Sequence, residues 1–548
     1  VFTKGATEAI NLVANTFGQK HLKEGDEVLI TELEHHSNYV PWHYLRKSKG
    51  IKIEFAEINN EGEITLENLE KKITSKTKII AITHISNVTG AILPVKEITE
   101  LAHSKNIPVL VDGCQGAPHL KLDMQDLDCD FYAISCHKMY GPTGLGVLYG
   151  KKKWLEELPP YQGGGGMINE VKKDRITYGD LPNKYEAGTM ATAQVIAFDQ
   201  SIKFLESIGI ENIMKHEAEL IEYGQELLQK NNSVKLLGNP KNKGGVLSFI
   251  LEGVHPHDIA TILDEDGVAI RAGHHCCQIL HDKLDIPASA RASVGVYNTK
   301  EDLDQLNDSI NNCKKIFNSI LPKKQDVYLE HNTLNHNFGY YIHIPNNLKN
   351  NKTIIIKNII DQGDQSSFLN YRNLVHCGKN VEIKILNEEV FLIDQCINIA
   401  SETYINENSN LEIINHCEKP ATTQIYNFSA SINNNSNLNY HALDISGNLL
   451  KNNYYINLNG SGSSCLFNGF NISNDKEHND NYIQINHNSP HTISNLNYKI
   501  IANKISKSIL FAKSIINKGS HHSEAYQKNK NLILSDKAIV HANPQLEI

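Results

Sequence analysis

Cysteine is scarce in this sequence, with ten residues in a chain of 548. That density is too low for a fold held together by disulfide bonds. None of the cysteines forms a C-x-x-C pair, and the only close pair is Cys276 and Cys277. Adjacent cysteines rarely bridge each other, so we expect at least one free thiol and a reducing compartment.

The sequence also lacks a long apolar run and an excess of positive charge. A membrane-spanning helix needs roughly 18 apolar residues in a row, whereas the run Ile354 to Ile356 is flanked by Lys352 and Lys357. The net charge of -9 argues against a general binder of nucleic acid or of anionic membranes. We therefore expect neither nucleic acid nor a membrane among its partners.

The first residues bear on where the protein is located. The chain begins Val1-Phe2, without methionine, inside what is predicted to be a strand, so we expect a fragment. The free thiols suit a cytoplasmic protein. A plastid-type organelle is the alternative if a targeting segment is missing.

Residues 1 to about 320 alternate between helical and strand patterns. Thr7 to Phe17 predicts a helix and Glu27 to Ile30 a strand; a strand at Lys78–Ile82, a helix at Val95–Ser104 and a strand at Pro108–Asp112 follow. Strands and helices that alternate at this spacing indicate a doubly wound, parallel-rich sheet. Such sheets bind ligands at the carboxyl ends of their strands.

The length of the chain requires more than one domain. We predict a large α/β domain over 1–235 and a small α+β domain over 236–321. A strand at Leu247–Ile250 and an amphipathic helix at Lys300–Ile320 belong to the small domain. A linker is predicted at 322–338, followed by a further domain at 339–548.

After the linker the composition of the sequence and the spacing of its apolar residues change. Helical periodicity disappears, asparagine becomes abundant, and short strands with period-2 alternation recur at 381–386, 411–414, 454–458 and 531–534. This pattern is typical of a β-sandwich or a β-solenoid. We favour the solenoid, because asparagine at corners and the loose rung-length spacing suit stacked coils. A partly disordered, asparagine-rich tail is the alternative.

The strongest local signal for chemistry lies around Lys138, in the segment Ser135-Cys136-His137-Lys138 before a Gly/Pro-rich turn. A lysine that follows a strand there is placed for a Schiff base with an aldehyde cofactor. Ser135 and His137 can donate hydrogen bonds to a phosphate. Taken alone, the segment could equally be a structural strand end.

Three further segments carry matching chemistry. Asp112 ends an apolar strand and can keep a pyridine nitrogen protonated, while Gln115 can bond a ring hydroxyl. Gly5 to Ala9 opens a helix whose free amides suit a phosphate. His35 can stack flat on a pyridine ring. A pair of histidines alone is more often part of an ordinary loop, but the four segments together indicate a cofactor site.

These segments resemble the type II, SufS-like cysteine desulfurases of the Suf pathway, which have the α/β fold of fold-type I pyridoxal-phosphate transferases. The resemblance runs from Val1 to about Leu321. It is carried by ordered motifs at 34–42, 83–88, 112–115, 135–138, 186–189 and 271–276.

The resemblance implies pyridoxal 5'-phosphate as cofactor and assigns a role to each matching residue. Lys138 would be the Schiff-base lysine, Asp112 would pair with the pyridine nitrogen, and Gln115 and His35 would flank the ring. The phosphate would be held by Thr7, Ser135 and His137, and by Thr189 from the partner subunit of a homodimer. Arg291 would bind the substrate carboxylate, with Asn87 and Arg271 as auxiliary contacts.

Cys276 matches the residue that receives sulfur in the family. The implied reaction converts L-cysteine to alanine and leaves a persulfide on Cys276. A thiolate is the attacking species, so His274, His275 and Arg271 are expected to favour ionisation. Cys277 is the rival nucleophile, and a buried pair of small hydrophobic residues is the structural alternative. The run His274-His275-Cys276-Cys277 could suggest a zinc site. Four ligands in adjacent positions cannot close a tetrahedron around one ion, so we expect no metal.

The sequence departs from the family at two points. Ala6 stands where the family usually has a second threonine, which removes one phosphate donor. The family's N-terminal segment, which covers part of the active site, is absent from this sequence.

The segment from Gly339 to the end resembles the core of the Suf scaffold proteins, SufD more than SufB. The motif at 529–538 and the ending Pro544 to Ile548 carry this resemblance, with His521, His522 and Glu524 before them. It implies a right-handed β-helix that assists iron–sulfur cluster assembly. The partners it implies are SufB, the ATPase SufC and a sulfur acceptor of the SufE or SufU kind.

Two His-Cys pairs in this half, His376-Cys377 and His416-Cys417, suggest a metal site if they stack on nearby rungs. Inward-facing core residues of a solenoid are the alternative.

Three hypotheses for function follow. The first is a cysteine desulfurase fused to a SufD-like scaffold, in which tethering raises the effective concentration of sulfur donor and acceptor. The second is another fold-type I enzyme, a selenocysteine lyase or an aminotransferase, with a β-helical interaction module; L-selenocysteine is then a further substrate. The third is that the second half is only a binding module, or the result of an accidental joining of two genes.

Overall fold

The computed structural model describes residues 1–252, 254–316, 328–329, 331–332, 336, 338–360, 368–391, 396–419, 423–445 and 448–548. The chain divides into two compact units. The first comprises Val1–Glu252 and Ile259–Ile310, and the second Gly253–Asp258 and Asn311–Ile548. Most of the predicted linker at 322–338 lies outside the described residues.

The first unit contains a seven-stranded sheet in the order β1-β7-β6-β5-β4-β2-β3. Strands β2 to β6 pair in parallel, while β7 pairs antiparallel with both β6 and β1. The strands are β1 (Phe2–Thr3), β2 (Glu27–Thr31), β3 (Lys52–Ala56), β4 (Thr77–Thr83), β5 (Val109–Asp112), β6 (Phe131–Ser135) and β7 (Gly146–Gly150). The apolar runs of the central strands β2, β4, β5 and β6 are buried, as expected for strands that are covered on both faces.

Helices pack around this sheet through apolar stripes. In the first of them Ala6, Ile10, Val13 and Phe17 are buried at helical spacing. The helices before residue 230 are α1 (Ala6–His21), α2 (Val40–Lys49), α3 (Leu66–Glu70), α4 (Val95–Ser104), α5 (Gly116–His119), α6 (Met124–Leu127), α7 (Lys152–Glu157), α8 (Thr192–Ile208) and α9 (Ile210–Gln229). Short 3-10 helices lie at His36–Asn38, Cys136–Met139 and Asn183–Tyr185.

Two smaller sheets complete the first unit. A hairpin joins β8 (Ile168–Val171) to β9 (Ile176–Tyr178). A four-stranded antiparallel sheet has the order β10-β11-β13-β12. Its strands are β10 (Val234–Leu236), β11 (Val246–Leu251), β12 (Arg271–Gly273) and β13 (Ser289–Ser293), and α11 (Gln278–Lys283) lies between β12 and β13 in the chain. Two further helices, α10 (Pro256–Glu265) and α12 (Lys300–Ile316), contain residues of both units.

The second unit is a β-solenoid built from two parallel sheets. Even-numbered strands β14 to β28 form one sheet and odd-numbered strands β15 to β27 the other, so consecutive strands alternate between the sheets. The strands are β14 (Phe338–Ile344), β15 (Lys349–Ile360), β16 (Phe368–Cys377), β17 (Glu382–Phe391), β18 (Cys396–Ile405), β19 (Asn410–Lys419), β20 (Thr423–Ile432), β21 (Asn437–Ile445), β22 (Leu449–Leu458), β23 (Ser464–Ser473), β24 (His478–His487), β25 (Ile493–Ala502), β26 (Lys507–Ile516), β27 (Glu524–Ile533) and β28 (Ile539–Glu547).

A column of asparagines occupies one corner of the solenoid. Asn347, Asn380, Asn408 and Asn435 all have a left-handed φ, between 55° and 65°. The side-chain amide of each donates to the side-chain oxygen of the one before it, at 2.9, 3.3 and 3.4 Å. Asparagine tolerates this conformation better than other non-glycine residues. Asparagine occupies corner positions as predicted, and other asparagines are buried within the strands, such as Asn398 and Asn427. The prediction of a solenoid is confirmed.

The predicted helices and strands of the first half are confirmed with small differences in their ends. The helix predicted at Lys300–Ile320 is described to Ile316, and the residues beyond lie outside the described part. The strand predicted at 531–534 is the end of β27, which stops at Ile533. Among the helices of the described residues, none combines the length and apolar character that crossing a membrane requires.

Candidate functional site

The polar residues singled out in the sequence follow four neighbouring strands at the edge where those strands end. In the sheet order β6-β5-β4-β2, Lys138 follows β6, Asp112 ends β5, Asn87 follows β4 and His35 follows β2. Because the carboxyl ends of parallel strands share one edge, the topology gathers these side chains at one site.

Lys138 sits in the 3-10 turn that directly follows β6, where it is half-buried. Its neighbour His137 is exposed, and partial burial together with the charge of Lys138 lowers the pKa of His137. Ser135 is buried and its Oγ accepts the Ala6 N–H at 2.9 Å. The strand end that carries Lys138 is therefore joined to the first residues of α1.

The start of α1 gathers hydroxyl groups. The Oγ1 of Thr7 lies 2.8 Å from the Oγ of Ser37, in the loop after β2. Backbone N–H groups in the first turn of a helix have no partner within the helix and favour an anion. Thr7, Ser135 and the helix N-terminus are thus brought together as donors.

Asp112 is buried at the end of β5, where its Oδ1 accepts the Cys114 N–H at 3.0 Å. Gln115 follows at the start of α5 and is half-buried. The turn between them lies against Tyr132, since a Cβ at Gly113 would stand 1.8 Å from the tyrosine ring. Only glycine can occupy that position without displacing the ring.

The ring of His35 lies among the charges of the site. Burial lowers the pKa of His35 to about 4; Asp112 opposes this shift, whereas Lys138 and Arg271 add to it. Its Nδ1 accepts the Ser37 N–H at 3.1 Å. His35 is consequently a neutral, flat and half-buried ring at neutral pH, with Asp112, Lys138 and Arg271 around it.

Two arginines face each other across strands β12 and β13, because Arg271 and Arg291 are paired in register. Arg291 Nη1 donates to the Asn87 carbonyl oxygen at 2.9 Å, while its buried Nε has no partner among the described residues. Burial, and secondly the charge of Arg271, lower the pKa of Arg291 to about 10, which still leaves it charged at neutral pH. The pair offers free guanidinium donors to a carboxylate.

Cys276 is half-buried, and its Sγ lies 3.6 Å from Nη2 of Arg271. Cys276 and His275 both have a left-handed φ, 57° and 51°, which costs roughly 1–2 kcal/mol for each such residue. The turn is held from outside: His36 donates its N–H to the Cys276 carbonyl oxygen at 2.7 Å, and Asn87 Nδ2 donates to that of His275 at 2.7 Å.

Cys277 has a different environment from its neighbour. It is fully buried in an apolar cluster with Leu33, Val88 and Leu280. Burial raises the pKa of the Cys277 thiol to about 12. It is therefore a neutral core residue, while the sulfur of Cys276 faces a guanidinium.

The prediction that His275 favours ionisation of the Cys276 thiol is wrong. Burial lowers the pKa of His275 to about 3, which keeps the ring neutral. The Ser289 carbonyl oxygen, 3.0 Å from Nε2, opposes this shift only in part. His274 is exposed, with its ring 5.7 Å from that of His281. Of the three groups expected to favour the thiolate, Arg271 is the one that contacts the sulfur.

Thr189 is exposed and lines a cavity of about 150 Å³ together with Lys4, Glu8 and Gly144, near the start of α1. Its contact with the phosphate of a partner subunit stays a prediction.

Two residues of the motif at 34–42, Glu34 and His36, were given no role from the sequence. The carboxyl group of Glu34 accepts hydrogen bonds from Thr31 Oγ1 at 2.6 Å, Asn38 Nδ2 at 2.7 Å and Thr83 N at 3.0 Å. Burial raises the pKa of Glu34 to about 8. His36 holds the Cys276 turn. Both are sequence neighbours of His35. The run Glu-His-His directly after a buried strand is the sequence feature that could have indicated a role for them.

The two His-Cys pairs of the second unit do not stack. His376 is in β16 and His416 in β19, which belong to different sheets, because consecutive strands alternate between sheets. His376 Nδ1 lies 3.2 Å from Nδ1 of His343. Cys377 is buried, and the side chain of Cys417 lies outside the described residues. No group of three metal-ligating side chains occurs in the described part of the chain.

Two family models match this chain. The model described as aminotransferase class-V matches residues 1–306. The model described as SUF system FeS cluster assembly, SufBD core domain, matches residues 359–548.

Curated relatives match the first half. A probable cysteine desulfurase from Halalkalibacterium halodurans is 49% identical over 320 residues, which cover 58% of this chain and 79% of the relative. A probable cysteine desulfurase from Staphylococcus aureus (strain Mu50) is 48% identical over 318 residues, covering 58% and 77%.

Solved structures match the same region. The cysteine desulfurase CsdA (S-sulfonic acid) from Escherichia coli is 38% identical with a TM-score of 0.56, covering 58% of this chain and 79% of that one. The apo cysteine desulfurase from Thermococcus onnurineus NA1 is 36% identical with a TM-score of 0.55, covering 57% and 79%. The family model spans more than half of the sequence, and these relatives are covered over more than two thirds of their length. The chain belongs to the class-V aminotransferase family.

Proposed function

We propose that the first unit is a pyridoxal-phosphate-dependent cysteine desulfurase that converts L-cysteine to L-alanine and retains the sulfur as a persulfide on Cys276. The observation that carries the proposal is the half-buried sulfur of Cys276, 3.6 Å from Arg271, on a turn bonded to the residues after β2 and β4. The probable cysteine desulfurases at 48–49% identity support it.

The donor set at the strand edge fits pyridoxal 5'-phosphate. A buried carboxylate, Asp112, suits the pyridinium nitrogen, and the neutral ring of His35 suits a stacked aromatic partner. Gln115 would bond the ring hydroxyl and Lys138 would bind the aldehyde. Thr7, Ser135, His137 and the N-terminus of α1 would hold the phosphate.

The substrate's carboxylate would bind Arg291, with Arg271 and Asn87 beside it. The guanidinium of Arg291 has donors to spare, since its buried Nε has no partner among the described residues. A planar fork of donors fixes a carboxylate in one orientation. This orients the substrate for the steps that follow.

When bound, the cofactor supplies an electron sink for the substrate's Cα. The amine of Lys138 removes the α-proton and later returns a proton to the product. The thiolate of Cys276, favoured by Arg271, attacks the substrate's sulfur. The new S–S bond forms as the Cβ–S bond breaks, and the released electron pair takes up a proton. L-cysteine and the Cys276 thiol thus become L-alanine and a persulfide.

The test is an alanine assay with L-cysteine, combined with a visible absorption spectrum of the protein loaded with pyridoxal phosphate. We expect alanine and a cofactor band, both lost in Lys138→Ala and both retained in Lys152→Ala, an exposed lysine. Absence of alanine from the wild-type protein, with the band present, would contradict the desulfurase. An unchanged band in Lys138→Ala would contradict the role of that lysine.

We also propose that the first unit forms a homodimer in which Thr189 reaches the phosphate of the partner subunit. Large apolar side chains are exposed at Ile196, Phe204 and Tyr297, and apolar patches on soluble proteins mark interfaces. Light scattering should give twice the mass of the chain. A Thr189→Ala variant should bind pyridoxal phosphate less tightly.

For the second unit we propose a SufD-like scaffold that receives sulfur for iron–sulfur cluster assembly in the cytoplasm. Its proposed partners are SufB, SufC and a SufE- or SufU-like acceptor, and the match to the SufBD core model supports this. The proposed domains are the large α/β domain at 1–235, the small α+β domain at 236–321 and the scaffold at 339–548, with a linker at 322–338. Co-purification with these partners should be lost on removing residues 323–548, and its persistence would contradict the scaffold.

A further inference from the structure

The turn that carries Cys276 needs support from outside. His275 and Cys276 are consecutive non-glycine residues in the left-handed region, a conformation that persists only where the surroundings enforce it. The turn's own N–H to O bond, from Cys277 to His274, spans 2.9 Å. The other contacts that fix its backbone come from residues far away in sequence.

One residue holds this turn at two points. The backbone N–H of His36 donates to the Cys276 carbonyl oxygen at 2.7 Å. The ring Nε2 of His36 accepts the N–H of Gln278, the residue that opens α11, at 3.2 Å. His36 therefore bonds the backbone on both sides of Cys277, and it follows directly after His35.

The ring of His36 must be neutral to accept this hydrogen bond. Partial burial, and secondly the charge of His274, keep the pKa of His36 below its ordinary value of 6.5. At neutral pH the ring then has a free lone pair at Nε2 and its proton at Nδ1. The N–H of Gln278, at the start of α11, has no acceptor within the helix. His36 Nε2 supplies that acceptor.

We infer that His36 is a positioning residue for the sulfur-receiving turn, which it holds through the Cys276 carbonyl oxygen and the Gln278 N–H. The functional part of this inference rests on the proposed role of Cys276. His36 directly follows His35, the residue proposed to stack on the cofactor. By holding the turn, His36 keeps the Cys276 sulfur in contact with the Arg271 guanidinium.

The test compares His36→Leu with His36→Gln in the full chain loaded with pyridoxal phosphate. Leucine removes the ring acceptor, whereas glutamine keeps an oxygen acceptor of similar reach. His43→Leu is the matched control, since His43 is a half-buried histidine on the next helix that contacts Tyr39. His36→Asn, whose amide is too short to reach Gln278, replaces the leucine variant if that one does not fold.

Two readouts separate positioning from general damage. Hydrogen exchange of the backbone amides in the segment 274–280 should become about tenfold faster in His36→Leu. It should stay within about threefold of wild type in His36→Gln and His43→Leu. For alanine formation, kcat should fall by about tenfold in His36→Leu while KM for L-cysteine stays within about twofold, because the contact between Arg291 and Asn87 does not involve His36.

Wild-type exchange rates in His36→Leu would overturn the inference. So would a His36→Gln variant as impaired as His36→Leu, or a His36→Leu variant in which KM alone changes. If the wild-type protein forms no alanine, the proposed function fails, but the exchange comparison still decides whether His36 holds the turn.

Discussion

The two units bury polar side chains in different ways. In the first, the polar groups of the site come from several elements and differ in chemistry, as with Asp112 at the end of β5 and Arg291 on β13. In the second, polar groups repeat: asparagine bonds asparagine along the corner column, rung after rung. A group in the first unit has no substitute, whereas a member of a ladder has neighbours of the same kind.

This difference teaches where function and stability reside. In the first unit, left-handed residues such as His275 and Cys276, the shifted pKa of His275 and Arg291 Nε, which has no partner among the described residues, occur together around one site. The repeating unit distributes its stabilisation over an apolar interior with stacked rings, for example Tyr440 on Phe467 at 5.4 Å. Single substitutions should therefore affect activity sharply in one unit and stability modestly in the other.

The largest effect should follow Arg291→Ala. Loss of the buried guanidinium removes hydrogen bonds between charged partners worth about 1.5–3 kcal/mol, so kcat/KM for L-cysteine should fall by about 10- to 100-fold. Steady-state alanine formation measures this. Arg175→Ala, at an exposed arginine of the β8–β9 hairpin, is the control and should be unchanged. An Arg291→Ala enzyme with wild-type kcat/KM would remove Arg291 from substrate binding.

The second-largest effect should follow replacement of a closely packed glycine by alanine, and each unit offers one such glycine. Gly113→Ala places a Cβ 1.8 Å from the Tyr132 ring, and Gly469→Ala places one 2.1 Å from the Tyr498 ring. Each should lower the free energy of unfolding by about 1–3 kcal/mol. Only Gly113→Ala should also weaken cofactor binding, because that turn carries Asp112. Denaturant unfolding and a pyridoxal-phosphate titration test this, with Gly163→Ala, which meets open space, as control.

A third effect depends on pH and belongs to the solenoid. Burial raises the pKa of Asp444 from an ordinary 3.8 to about 7. Because the folded pKa is the higher one, the folded state keeps a proton that the unfolded state releases. The contribution of Asp444 to stability is thus present below about pH 4 and is lost as the pH rises toward 7.

Asp444→Asn should remove that dependence and stabilise the protein at pH 8 by about 1–3 kcal/mol. Asn452, which donates to Asp444 Oδ2 at 3.1 Å, can still find an oxygen acceptor. Asp475→Asn, at an exposed corner, should show no such gain. Denaturant unfolding at pH 5 and pH 8 provides the comparison, and an Asp444→Asn variant less stable at pH 8 would contradict the expected sign.

The smallest effect should follow Asn408→Ala in the corner column. It removes two side-chain hydrogen bonds in the ladder and places alanine at a φ of 58°. The cost should be about 1–2 kcal/mol, mostly from the backbone, because hydrogen bonds at this exposed position add little. Asn408→Gly relieves the backbone and should cost less. Thermal unfolding of both variants measures the difference. A loss of several kcal/mol would show that the ladder is not redundant.

Much of the fold could be predicted from sequence because it is local. Apolar runs at 78–82 and 108–112 predicted parallel strands, and the asparagines and evenly spaced short strands after the linker predicted a solenoid. The placement of His376 and His416 could not be predicted, since sequence spacing does not say which sheet a strand joins. The neutral state of His275 depends on its burial, and the bonds made by His36 depend on Cys276 and Gln278; both arise only in the tertiary structure.

The most direct test of the account is the position of sulfur after reaction with L-cysteine. Mass spectrometry of the peptide that contains both cysteines, compared between Cys276→Ser and Cys277→Ser, makes that measurement. We predict an added sulfur in the wild-type protein and in Cys277→Ser, and none in Cys276→Ser. An added sulfur that persists in Cys276→Ser, or that disappears in Cys277→Ser, would contradict the central claim.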